Sequence, residues 1–72
     1  MTKVPELSHQ RIVRALGRAG FVLRRQGKHI SMHHPERNIV AIIPRQNPVK
    51  RSTLARILKE IDISVEEFQE LI

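Results

Sequence analysis

Two short breaks in the middle of the chain decide its topology. Phe21-Val22-Leu23 opens a run that reaches Gln26, and Gly27-Lys28 interrupts it. His29 to His34 follows, then Pro35-Glu36-Arg37-Asn38, then Ile39 to Ile43 up to Pro44. Branched and aromatic side chains suit a pleated surface, whereas Gly, Pro and Asn suit turns. A parallel strand pair needs a crossover of roughly a dozen residues or more. Neither break is that long. The spacing therefore predicts three antiparallel strands, near 21–26, 29–34 and 39–43, joined as a meander.

Helical periodicity flanks the strands. Ser8 can cap a helix over residues 9–19, in which Ile12, Val13, Leu16 and Ala19 share a face. Gly20 stands where a helix ends in a left-handed residue. Residues 1–7 read as a short leader. After the strands, 45–51 reads as a basic loop, and Ser52 or Thr53 as the cap of a helix over 53–61. Its stripe is Leu54, Ile57, Leu58 and Ile61. Asp62-Ile63 breaks that helix. Ser64-Val65-Glu66-Glu67 matches a capping box and opens a last short helix. The expected fold is α+β: helix, three-stranded antiparallel sheet, helix, with a short C-terminal helix, as a single domain over residues 1–72. Both main helices should cover one sheet face, over Ile30, Met32 and two or three residues of each flanking strand. His29, Ser31 and His33 then point to the other face, and His34 becomes a turn residue packed at the strand end.

Charge narrows the partners. Residues 1–59 hold all 13 Lys and Arg against Glu6 and Glu36, a net +11. Residues 60–72 hold five acids and no base, a net −5. A basic body of this density attracts polyanions, nucleic acid first among them. Nine of the 13 cations are Arg, whose planar fork fits phosphate. Arg24, Arg25, Lys28, Arg45, Lys50 and Arg51 are the candidate nucleic-acid phosphate contacts. Lys50 and Arg51 sit beside a helix N-terminus, where free N–H groups favour anions. With two Phe and no Trp or Tyr, a base-stacking platform is not expected. There is no Cys, which excludes disulfides, Cys-type zinc sites and thiol catalysis. The longest apolar run, Ile39–Ile43, is too short to cross a bilayer. No export signal is visible, so the expected compartment is the cytoplasm.

Histidine is the side chain most suited to moving protons near neutral pH. RNA carries its own nucleophile, the 2′-hydroxyl. A protein that cuts it must take one proton, give another, and stabilise charge on phosphorus. His29 follows a glycine turn and a lysine, with Arg24 and Arg25 a few residues away. From the residues alone, it is either a proton-transfer group or a polar residue at an exposed strand start. His29, His33 and Glu36 give two or three metal donors where a structural site needs about four, so no metal and no cofactor is expected. His9 reads as a first-turn helix residue without a role.

A wider pattern joins these pieces. It runs through Gly20-Phe21, Arg25-Gln26-Gly27-Lys28-His29, His34-Pro35, Ser52-Thr53-Leu54-x-x-Ile57-Leu58 and Ile63-Ser64-x-Glu66-Glu67-Phe68. Together these resemble the HicA family of toxin mRNA interferases, over roughly residues 10–72. The resemblance implies the fold of a double-stranded-RNA-binding domain. It implies a metal-independent endoribonuclease that cuts mRNA, held silent by a HicB-type antitoxin. In that family a histidine after a Gly-Ser pair, at the start of strand two, carries cleavage; the matching residue is His29. Lys28 stands here where serine is usual, and Ser52 where glycine commonly precedes Thr-Leu. Arg45 and Gln46 stand where many members carry a further histidine. A non-catalytic RNA-binding module of the same fold is the competing reading, and His29 in its glycine-turn setting separates the two.

Overall fold

The first helix, α1 (His9–Arg18), starts where Ser8 Oγ accepts the Arg11 amide at 3.3 Å. It stops by a double backbone closure. Phe21 N donates to Leu16 O at 3.0 Å and Gly20 N to Gly17 O at 3.2 Å. This is a Schellman closure, and it needs a left-handed residue, which Gly20 supplies at φ 103°. The second helix, α2 (Arg51–Glu60), ends the same way. Ile63 N reaches Leu58 O at 3.0 Å, Asp62 N reaches Lys59 O at 3.3 Å, and Asp62 takes φ 60°. In both closures the residue after the left-handed one is buried: Phe21 in the first, Ile63 in the second. The closures thus turn each helix end into an anchor for the core.

This computed structural model describes residues 4–72. The order is α1, β1 (Val22–Gln26), β2 (His29–His34), β3 (Ile39–Pro44), α2 and α3 (Val65–Leu71). The sheet order is β1-β2-β3, and both pairs are antiparallel. The expected α+β layout is therefore the one observed. Ile30 and Met32 of β2 and Ala41 and Ile43 of β3 are buried. Their neighbours Val40 and Ile42 are exposed, so only one sheet face is covered. Leu16, Ile12, Leu54, Ile57 and Phe68 fill the layer above that face. Ser64 Oγ accepts Glu67 N at 3.1 Å and opens α3, while Arg18 Nη1 donates to Leu71 O at 2.7 Å near its end.

Four details differ from the sequence-based expectation. First, β1 buries none of its residues, although two or three were expected. Its register against β2 shifts between Leu23 and Arg25, which leaves Arg24 as the extra residue of a bulge. Simple alternation from Leu23 would turn Arg25 towards the helices. The bulge instead sets Arg25 opposite Ser31, on the open face, and spares a buried cation. Second, α2 begins at Arg51, with Lys50 as its cap residue and no side-chain cap bond. Neither Ser52 nor Thr53 is needed, because the preceding backbone is fixed by other contacts: Val49 is fully buried and its amide donates to Leu7 O at 2.8 Å.

Third, the expected leader is partly core. Val4 and Leu7 are buried, and Arg51 Nε holds Val4 O at 2.7 Å; residues 1–3 lie outside the described residues. Fourth, His9 has a structural role. Its amide donates to Gln46 O and to Asn47 Oδ1, both at 3.2 Å, and its ring Nδ1 lies 3.3 Å from Gln46 O. It clamps the loop after β3 onto the start of α1.

His34 is buried at the end of β2, as a packed turn residue should be. Its Nδ1 accepts the Arg37 amide at 3.1 Å and its carbonyl accepts the Asn38 amide at 2.8 Å. Its ring meets Phe21 edge to face, with centroids 5.2 Å apart. Asn38 closes the turn in the left-handed region, at φ 54°.

The two left-handed helix ends predict opposite outcomes. A Cβ on Gly20 would lie 2.8 Å from His34 Nε2, on top of the cost of the left-handed backbone. Gly20→Ala should destabilise by about 1–3 kcal/mol in urea unfolding, from backbone strain plus crowding. Asp62→Gly should be neutral or stabilising by up to about 1 kcal/mol, because its residue already takes a conformation glycine prefers.

Candidate functional site

The register of β2 decides which histidine meets solvent. His34 shares its face with Ile30 and Met32, all three buried, so His29, Ser31 and His33 share the other face. His29 is exposed, and it is the first residue of the strand. It pairs with Pro44 at the end of β3, so Arg45 follows directly across from it. Behind it, Gly27 N donates to His29 O at 3.2 Å and tightens the turn. Arg45 Nη1 donates to Gly27 O at 3.3 Å, which draws the arginine onto the same turn. Lys28 is exposed within that turn. Arg25, opposite Ser31, stands on the same face as His29, one diagonal step away.

An open groove of 490 Å³ begins at His29. One wall is β3, with Val40, Ile42 and Pro44; the other is α2, with Thr53, Arg56 and Glu60. Gln46 also borders it. Arg56 and Gln46 were not singled out from the sequence. Helical spacing does put Thr53, Arg56 and Glu60 beside the apolar stripe of α2. Only the packing of α2 along β3, however, turns that face towards His29.

The six candidate cations therefore divide. Lys28, Arg45 and Arg25 gather around His29, with Arg24 in the adjoining bulge. Lys50 and Arg51 border a separate depression with Val4, Glu6, Ser52 and Ala55. None of those residues lines the His29 groove. Arg51 is also committed to Val4 O. Two cations at the start of α2, with no acid in its first turn, oppose the helix dipole. That costs a little stability, and it leaves the region electropositive.

Acids offer the basic face little neutralisation. Among the described residues, the one side-chain ion pair is Arg37–Asp62 at 3.4 Å, with both partners exposed. Such a pair contributes little in water. The His33 Nε2 atom lies 3.2 Å from Asn38 Oδ1, so this histidine is tied to its own turn. Among the described residues, no three His, Asp or Glu side chains stand close enough to hold a metal ion. None of their helices is long and apolar enough to cross a membrane. The arrangement is thus an exposed imidazole at the mouth of an open groove, with Lys28 and Arg45 on its turn and Arg25 diagonally across on the same face.

Comparison with protein families matches residues 10–63 to the HicA toxin of bacterial toxin–antitoxin systems. Comparison with curated proteins gives no match. The matched span takes in nearly all of α1, the whole sheet with its His29 turn, and α2 with its closure at Ile63. The chain therefore belongs to the HicA toxin family, as a toxin of a bacterial toxin–antitoxin system whose partner is an antitoxin.

Proposed function

We propose that this toxin is an endoribonuclease that cuts mRNA in the cytoplasm, with His29 as its catalytic residue and a HicB-type antitoxin as its silencer. The observation that supports this most is the setting of His29. It is solvent-exposed at the start of β2, and Arg45 is bonded to the turn that carries it. The chemistry asks for little else. The 2′-hydroxyl of the RNA attacks the adjacent phosphorus as its proton leaves, and the 5′-oxygen departs as it gains one. His29 Nδ1 or Nε2 takes or gives one of these protons and solvent water carries the other, while Arg25, Lys28 and Arg45 hold the non-bridging oxygens. No metal is required for these steps. Arg24, Lys50 and Arg51 extend the cationic path for the strand on either side.

His29→Ala tests the assignment. The side chain is exposed, so stability in urea should stay within about 0.5 kcal/mol of the parent. RNA affinity should change little, since Arg and Lys carry it. Single-turnover cleavage should fall by about two orders of magnitude or more, the usual cost of one proton-transfer group. His33→Ala should do much less. Equal cleavage by parent and His29→Ala would leave a non-catalytic RNA-binding module as the better reading.

Salt dependence tests the cationic path. If Arg24, Arg25, Lys28 and Arg45 each neutralise one phosphate, log affinity against log salt should slope about −3 for a single strand. If Lys50 and Arg51 also touch the strand, the slope steepens to about −4. Lys50→Gln leaves the Arg51–Val4 contact in place, and it should flatten the longer footprint by about 0.7. A slope near zero in filter-binding titrations would mean that the charge does not serve RNA.

A further inference from the structure

The sheet has two edges, β1 and β3, and they are built differently. An edge strand presents backbone N–H and C=O groups that can pair with another strand. Natural sheets guard their edges with bulges and charges. β1 has both, with a bulge at Arg24 and two adjacent arginines. β3 has neither. Ile39–Ile43 holds no charge, and its register against β2 is unbroken from His34↔Ile39 to His29↔Pro44. Val40 and Ile42 are 49% and 51% exposed on the open face. Only Pro44, which lacks an N–H, marks an end to pairing. An unguarded apolar edge of this kind is open to pairing with another strand.

Charge selects what covers it. A second copy would bring another +6 chain against this one. An acidic chain gains from the same field. We propose that the free edge of β3 is a strand-addition site for an extended acidic segment of the antitoxin. The incoming strand runs along Ile39–Ile43 and stops at Pro44. Alternate side chains of such a strand face opposite ways. One set continues the open face beside Val40 and Ile42, which suits aliphatic residues. The other turns into the groove, where Arg56 suits a carboxylate and Glu60, one helical turn on, suits a neutral residue. Because His29 borders that groove, the added strand closes the approach to it. This last consequence rests on the reading of His29 given above; the strand addition itself does not.

The test uses the full-length, isotope-labelled protein and a capped peptide of alternating Glu and Val, raised to millimolar concentration. Amide hydrogen exchange is read residue by residue. The peptide should slow exchange at residues 39–43 by about tenfold or more, and a Lys/Val peptide should not. Ile42→Lys places a guard on the exposed face, so the fold should persist while binding weakens by about tenfold or more. Three results would overturn the proposal. The first is no slowing at 39–43. The second is slowing without peptide, together with dimers in sedimentation, which would assign the edge to a second copy. The third is stronger slowing by a uridine oligonucleotide than by the peptide, which would assign the groove to RNA. RNA cleavage by the unliganded protein is measured separately. Intact cleavage with no strand addition would leave the ribonuclease reading standing, and strand addition without cleavage would leave this one.

Discussion

The side of the sheet that meets solvent is set by one buried ring. His34 sits at the end of β2 against Phe21, and its Nδ1 and carbonyl accept the amides of Arg37 and Asn38. These contacts fix both the inward face of β2 and the turn into β3. A slip of one residue would exchange the two faces of the strand. His29 would then point into the helix layer, and Ile30 and Met32 into water. Gly20 makes room for this arrangement, because the backbone passes so close to the imidazole that no Cβ fits without a shift. The exposed histidine thus depends on the buried one, five residues away along the same strand.

The charge distribution follows the same division of labour. The first 59 residues are strongly cationic, and the acids gather in residues 60–72. In α3 the carboxylates Glu66 and Glu67 lie in the first turn, where the helix dipole favours them. Of the cations around His29, Arg45 is bonded to the Gly27 carbonyl, while Lys28 and Arg25 stand exposed. Arg25 is kept on the open face only by a bulge, which sacrifices a regular pairing for it. Fields of this kind draw an anionic strand to the domain and weaken with salt. Under the function proposed above, the same field would draw both an RNA strand and an acidic antitoxin segment to this surface.

Much of this was legible from the residues. The two short breaks forced an antiparallel meander, and Ser8, Gly20, Asp62 and Ser64 marked the ends of helices. Those signals are local, acting within four or five residues. The parts that were not legible depend on contacts across the chain. His9 looked idle because its partners, Gln46 and Asn47, lie nearly forty residues away. Residues 4–7 looked like a leader because the buried positions of Val4 and Leu7 are set by the loop around Val49 and by Arg51. The bulge at Arg24 has no glycine to announce it. Arg56 carries no motif, and only the seating of α2 beside β3 brings it to the groove. His29 itself could be named from the resemblance to its family; its exposure followed from strand parity.

The central claim is that RNA supplies the nucleophile and that His29 of this protein moves a proton for it. It is tested most directly by offering the parent protein two strands of identical sequence, one native and one with every 2′-hydroxyl methylated. The account predicts that the native strand is cut, leaving a 5′-hydroxyl end without added metal, and that the methylated strand binds but stays whole. Cleavage of the methylated strand would contradict it, because the attacking oxygen would then have to come from elsewhere.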